Sequence, residues 1–277
     1  MFEIGINTNN ESGANSVSII KNIAKSGFRS IMLSAYITDR EKVLKVIKKN
    51  GIEISCFHLD GKCVNSIWAE GATADRYIDK IIQEIELCGQ LNINVAIMHI
   101  TDGNPACFAL PPSEVGLNNI KKVLDVAKRN NVKLAVENLD NAGFSHVDYV
   151  LENIKDEYLG FCYDVGHHHL YNPKVDLLKK YGDRLLVVHL HDNMMDWHWG
   201  YDYTRDLHLL PMDGKINLQK VCEKLAKLNY EGVMILEVHK TCKGAPHLYT
   251  DMKDLDFLNE AYNRAGKLKD MIMQAKK

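Results

Sequence analysis

Residues 158–169 read YLGFCYDVGHHH. An apolar run of strand length ends in an acid, Asp164, and three histidines follow at once. The run does not alternate apolar with polar, so both of its faces are expected to be buried, as in a parallel sheet covered by helices. An acid at the end of such a strand, with His167 three residues on, looks like part of a ligand set whose other members come from elsewhere in the chain.

Working outward, seven more segments have the same character. They are FEIGIN (2–7), RSIML (29–33), IEISCF (52–57), NVAIMH (94–99), VKLAVEN (132–138), RLLVVHLHD (184–192) and GVMILEV (232–238). Helical patterns separate them: one ends before Gly27, and others lie near 39–50, 72–90, 112–130, 146–154, 174–181, 216–228 and 254–275. Eight strand–helix units in strict alternation imply a parallel sheet, and eight such units imply a closed (β/α)8 barrel in a single domain over 1–277. The length of 277 residues suits this fold, which typically takes about 250. An open doubly wound sheet would want a glycine-rich phosphate turn after its first strand, and GINTNNESGAN (5–15) is not one.

A net charge of −2 lacks the basic excess of a nucleic-acid-binding chain and favours a small-molecule substrate. No apolar run approaches the roughly 20 residues of a membrane span, and the first residues lack the features of a signal peptide. The seven cysteines are scattered and never spaced C-x-x-C, which suits a reducing, cytoplasmic location.

In such barrels the chemistry sits at the C-terminal ends of the strands. Those ends carry His58, His99, Glu137, Asp164, His189 with His191, and Glu237. Six strands of eight thus end in a metal-ligating residue type. Several carboxylates converging on one axis are costly unless a cation compensates them. Glu137, Asp164, His189 and Glu237 supply three carboxylates and an imidazole, which suits one divalent ion, Mn²⁺, Zn²⁺, Co²⁺ or Mg²⁺, with the imidazole tilting the choice away from Mg²⁺. His191 is expected to turn to the other side of its strand. The stretch 193–213 reads as a functional loop; within it Trp197, Trp199, Tyr201, Tyr203 and Arg205 form an aromatic lid, to which Trp68 might be joined as a further wall. Lys240 and Arg205 are the cations placed to meet a substrate phosphate. A homo-oligomer with the lid as subunit contact is compatible with this pattern.

The pieces VEN (136–138), YDVGH (163–167), VHLHD (188–192), LHLLPMDGKINLQKV (207–221) and ILEV (235–238), in this order, resemble the xylose-isomerase-like TIM-barrel superfamily. Its members include sugar and sugar-phosphate isomerases and epimerases, inosose dehydratase and, more distantly, endonuclease IV. The resemblance implies that Glu137, Asp164, His189 and Glu237 hold one metal and that His167 faces the substrate oxygens. It also implies that Glu137 and Glu237 act as acid and base on a sugar or sugar phosphate, through a metal-stabilised enediolate. His58, His99, His208, Trp197, Trp199 and Arg205 are the expected substrate contacts. Met212-Asp213 interrupts the family's H-x-P-G-x-G pattern, so that Gly214 matches only its second glycine. Two alternatives remain on the same scaffold. One is a polyol dehydratase. The other is a zinc-dependent apurinic endonuclease, for which Asp206-Leu207-His208 has the D-x-H spacing of a third zinc site.

Overall fold

The computed structural model describes residues 2–9, 15–103, 109–139, 143–194, 206–241 and 248–277. Trp197, Trp199, Tyr201, Tyr203 and Arg205 lie outside them. Eight strands form the barrel: β1 (Ile4–Asn7), β2 (Ser30–Ser34), β3 (Glu53–His58), β4 (Val95–Met98), β5 (Lys133–Glu137), β6 (Leu159–Asp164), β7 (Leu185–Leu190) and β8 (Val233–Leu236). Each pairs in parallel with its neighbours in chain order, and β8 closes on β1. Around them run α1 (Ser16–Ser26), α2 (Arg40–Lys49), α3 (Ala72–Gln90), α4 (Glu114–Arg129), α5 (Ser145–Asn153), α6 (Val165–Tyr171), α7 (Leu177–Tyr181), α8 (Leu218–Lys227) and α9 (Asp254–Ala275). The expected (β/α)8 barrel is present.

The strands form because their side chains are apolar on both faces and both faces are covered. The outward face packs under the helix ring in one large core. The inward face makes a second, small cluster of Met32, Cys56, Ile97, Ala135, Cys162, Val187 and Ile235. This cluster fills the barrel axis and positions the site above it. Successive side chains on a strand alternate, so residues two apart share a face. Two residues beyond these seven stand Ser34, His58, His99, Glu137, Asp164, His189 and Glu237. The strand-end residues therefore point toward the axis, one layer above an apolar floor. Register sets their relative height: Asp164 pairs level with His189, Glu137 with Cys162, and His189 with Ile235.

Two boundaries differ from expectation. A short helix, α6, begins directly at Val165, where the sequence pattern indicated a helix only near 174–181. Asp164 caps it, its carboxylate accepting the backbone N–H of His167 at 2.6 Å. Strand β7 stops at Leu190, and Asp192 instead forms an antiparallel bridge with Leu209. Trp68 also departs from its expected place in a substrate wall. It closes a 3-10 turn (Val64–Trp68), is fully buried, and donates its indole N–H to Ile100 O at 2.7 Å.

A polar knot locks the turn after β3. Buried Asp60 accepts from the Tyr36 hydroxyl at 2.8 Å and from the Lys62 N–H at 2.7 Å, and it pairs with Lys80. Its own N–H donates to Glu84 Oε2 at 2.8 Å. Burial pushes the Asp60 carboxyl up, but the Lys80 bond and the other donors hold it below the usual carboxylate range. A carboxyl lowered in this way contributes stability above its unfolded value, and the contribution is lost as pH falls through the folded value. Asp60→Asn is expected to cost about 1–3 kcal/mol at pH 7. The deficit relative to wild type should shrink as the pH is lowered through the carboxylate range. Urea midpoints of both proteins along that pH series check this; a deficit independent of pH would remove the charge from the explanation.

Candidate metal centre and active site

Glu137 ends β5 and is wholly buried. Its Oε2 lies 3.1 Å from His99 Nε2 and 3.4 Å from His58 Nε2, and its Oε1 lies 3.0 Å from His167 Nδ1 and 3.5 Å from His189 Nδ1. One carboxylate is thus the hub of four imidazoles. Burial would raise its pKa; His189, His99 and His167 overcome that and hold it well below the usual range. Asp164, also fully buried, lies 3.5 Å from His189 Nδ1. Glu237 Oε2 comes within 2.8 Å of the same nitrogen.

The close approaches around His189 are not hydrogen bonds. Glu137 Oε1, Glu237 Oε2, His167 Nδ1 and both ring nitrogens of His189 are buried without a hydrogen-bonding partner in line. Buried polar atoms are rarely left so, and each such atom asks for an explanation. One ligand atom from each of Glu137, Asp164, His189 and Glu237 lies within 4.8 Å of the others. Acceptors crowded onto one point and lacking donors fit a divalent cation. The mixture of oxygen and imidazole nitrogen is the type that Mn²⁺, Zn²⁺ or Co²⁺ accepts.

Neighbouring residues orient this set. Asn138 grips the Asp164 backbone on both sides, donating from Nδ2 to its carbonyl at 2.8 Å and accepting its N–H at 2.6 Å. His191 stands two residues after His189 and, contrary to expectation, on the same face. Its Nε2 meets Asp164 Oδ1 at 2.9 Å and Oδ2 at 3.1 Å. Room for that ring exists because residue 166 is glycine: a Cβ there would overlap the His191 imidazole. Asp192 anchors the loop beyond β7, accepting from Met212 N and Ile216 N, each at 3.0 Å. Met212-Asp213, the departure from the family pattern, is accommodated there with Met212 in the left-handed region at φ 77°.

Two further clusters, each with two or more histidines, adjoin the first. His58, His99 and Glu137 form one. The other joins His167, His191, Asp206 and His208, with Asp206 Oδ2 at 3.0 Å from His167 Nε2 and 3.2 Å from His208 Nε2. His208 is sandwiched between His191, centroids 4.0 Å apart, and His239, 4.4 Å apart. Burial lowers both His208 and His239. The Asp206 carboxylate reverses this for His208, to about 9, whereas the adjacent His208 adds to it for His239, which falls to about 3. Of two stacked rings, one is drawn toward its charged form and the other away from it.

A cavity of about 380 Å³ opens over this floor. His58, His99, Glu137, His167, His208 and Glu237 line it, and Asp164 and His189 do not. Tyr36, Lys62, Asp102 and His239 also line it and were not anticipated. None of the first three ends a strand, and periodicity cannot place a loop side chain. His239, two residues after Glu237, was within reach of the period-two argument. Lys240, a candidate phosphate contact, is instead bound to Asp254 at 2.8 Å.

The fold agrees with that of known proteins. The chain matches the family described as xylose isomerase-like TIM barrel over residues 20–261. It belongs to that family. Two relatives are described only as uncharacterized proteins. MJ1311 of Methanocaldococcus jannaschii is 29% identical over 206 residues, covering 70% of this chain and 67% of that one. The protein y4fM of Sinorhizobium fredii is 28% identical over 151 residues, 53% of this chain and 44% of its own length. The match thus spans less than half of y4fM. Among solved structures, an L-ribulose 3-epimerase superposes with a TM-score of 0.74 at 17% identity, covering 100% of this chain and 96% of that one. A xylose isomerase-like protein from Mycobacterium smegmatis, in complex with magnesium, gives 0.69 at 13%, covering 100% and 98%. At such identities the likeness is one of fold. Among the described residues no helix is long and apolar enough to cross a membrane.

Gly166→Ala is expected to push His191 off Asp164 and weaken divalent-metal affinity about tenfold or more while the barrel stays folded. His191→Ala should act in the same direction. Competition against a chromophoric chelator, with circular dichroism as the folding control, measures both. Unchanged affinity in the two variants would mean that His191 does not orient the ligands.

Proposed function

We propose that this chain is a divalent-metal-dependent sugar or sugar-phosphate isomerase or epimerase. The observation that carries the proposal is the set of buried, unpartnered atoms of Glu137, His189 and Glu237 that share one point with Asp164. These four residues would hold one divalent ion, which supplies a Lewis acid for a substrate carbonyl. Everything else in the reaction falls to the chain. Glu137 and Glu237 line the cavity and carry the carboxylates that remove and return a proton at the carbon beside that carbonyl. Their depressed pKa values keep both ionised at neutral pH. His167 lies between Glu137 and Asp206; burial opposes its charge, but Asp164, Asp206 and Glu137 raise its pKa well above the usual value. It therefore holds a proton beside Glu137 and can offer it to a developing oxyanion from the cavity wall. His58 and His99 fix the other Glu137 oxygen. The cavity volume suits a sugar of five or six carbons, and the epimerases among the structural neighbours favour the same class.

A second reading deserves its own test because of one observation. The His58–His99–Glu137 and His167–His191–Asp206–His208 groups each converge as tightly as the first. A chain that filled all three with zinc would suit phosphodiester cleavage. The net charge of −2 disfavours a DNA substrate. A polyol dehydratase would use the single-metal set and differ only in its product.

Metal analysis of protein prepared without a histidine tag is expected to give about one divalent ion per chain. Close to three zinc ions, with cleavage of abasic DNA, would favour the second reading. Glu137→Gln is expected to weaken metal binding and lower turnover on a sugar panel by at least about 10²-fold, with loss of solvent-deuterium incorporation at the reacting carbon. Full activity in that variant would sink the mechanism.

A further inference from the structure

We propose that the cavity takes a sugar bearing an anionic group and that Lys62 is the residue that binds that group. The inference rests on the sugar-converting reading and narrows its substrate class. Among the described residues, Lys62 is the one lysine or arginine lining the cavity. Its backbone is fixed: its N–H donates to Asp60 Oδ1 at 2.7 Å, and Cys63 turns the chain in the left-handed region at φ 66°. Its side chain is exposed, with the ammonium 5.2 Å from the centroid of the Tyr36 ring.

The nearest acid in the chain is already engaged. Asp60 spends its carboxylate on Lys80, the Tyr36 hydroxyl and the Lys62 N–H. Among the described residues no carboxylate stands within ion-pair distance of the Lys62 ammonium. An unpaired cation at the mouth of a cavity whose floor is a cluster of carboxylates and imidazoles gives that cavity two chemically different ends.

A second hollow of about 390 Å³ points the same way. It is lined by Lys62, Cys63, Thr73, Arg76, Tyr77 and Lys80; Lys80 is paired with Asp60, and Lys62 and Arg76 are its other cations. Lys62 lines both spaces. The cavity therefore opens toward a cationic surface, and a phosphate or carboxylate there meets an ammonium on a flexible stem that can follow it. Lys240 does not serve this purpose, being tied to Asp254.

The test compares wild type with Lys62→Ala, Lys62→Gln and Lys62→Arg. The first probe is inorganic phosphate titrated calorimetrically into chelator-treated protein, where no metal can bind it, with acetate as the carboxylate probe. Wild type and Lys62→Arg are expected to bind one of the two anions, and Lys62→Ala and Lys62→Gln to bind it at least about tenfold more weakly. Which anion shows the effect identifies the group. Equal anion affinity in wild type and Lys62→Ala overturns the proposal. The second probe is a set of ketoses, each neutral and as its terminal phosphate, with the matching sugar acids. Lys62→Ala should raise KM for the anionic members about 10- to 100-fold and leave kcat and the neutral members nearly unchanged. Preference for neutral sugars, indifferent to Lys62, would also overturn it. If no sugar of either kind is converted, the sugar-converting reading fails, and the anion titration still decides the role of Lys62.

Discussion

Burying negative charge around the barrel axis is the constraint on which the rest of the site depends. Glu137 and Asp164 are wholly buried and Glu237 nearly so. Removing a carboxylate from water costs several kcal/mol even after relaxation, unless a counter-charge stands beside it. Here imidazoles stand beside them, and the carboxylates raise the pKa values of His58, His167 and His189 against the effect of burial. His58, His99, His167, His189 and His191 crowd the Glu137 and Asp164 oxygens at 2.9–3.5 Å. Imidazole suits this duty because its charge can be withdrawn: the same ring stabilises an empty carboxylate cluster when protonated and ligates a cation when neutral.

The fold supplies the rigidity that this electrostatic arrangement needs. Seven apolar side chains plug the axis beneath the site, and the residues two further along each strand form its floor. Level pairing of Asp164 with His189 brings an acid and an imidazole to one height. Asn138 ties β5 to β6 at the next residue, so Glu137 and Asp164 cannot drift apart. Gly166 admits the His191 ring, and Asp192 holds the loop that delivers Asp206 and His208. Each device fixes the direction of a charged side chain, because a misplaced charge in such a site is more costly than a missing apolar contact.

The same arrangement divides the cavity chemically. At its floor Glu137 belongs to the four-residue group, to the His58–His99 group and to a group with Cys162 and His189, so one carboxylate serves three candidate ligand clusters. At its mouth Lys62 brings a single positive charge, with Arg76 in the adjoining hollow. A molecule spanning the two ends would present oxygens to the floor and an anion to the rim, which is the shape of a small acidic sugar derivative.

Sequence by itself determined the barrel and the acids and imidazoles that gather at its strand ends. Apolar strands alternating with helices leave few other closed folds, and His58, His99, Glu137, Asp164, His189 and Glu237 are legible because period two carries a strand-end residue onto the face of its predecessors. The same rule assigns His191 to the face of His189, so its misplacement was an error in applying the period. Only the tertiary structure decided where loop residues go. Trp68 turned into the core, Lys240 was taken by Asp254, and Tyr36 and Lys62 came to the cavity from turns with no periodic signal. It also drew the pKa values of two stacked histidines apart, since Asp206 is hydrogen-bonded to His208 and raises it, whereas burial and the adjacent His208 lower His239. Local sequence sets backbone direction and side-chain face; proximity between distant segments, and the charge states it imposes, exist only once the chain has closed.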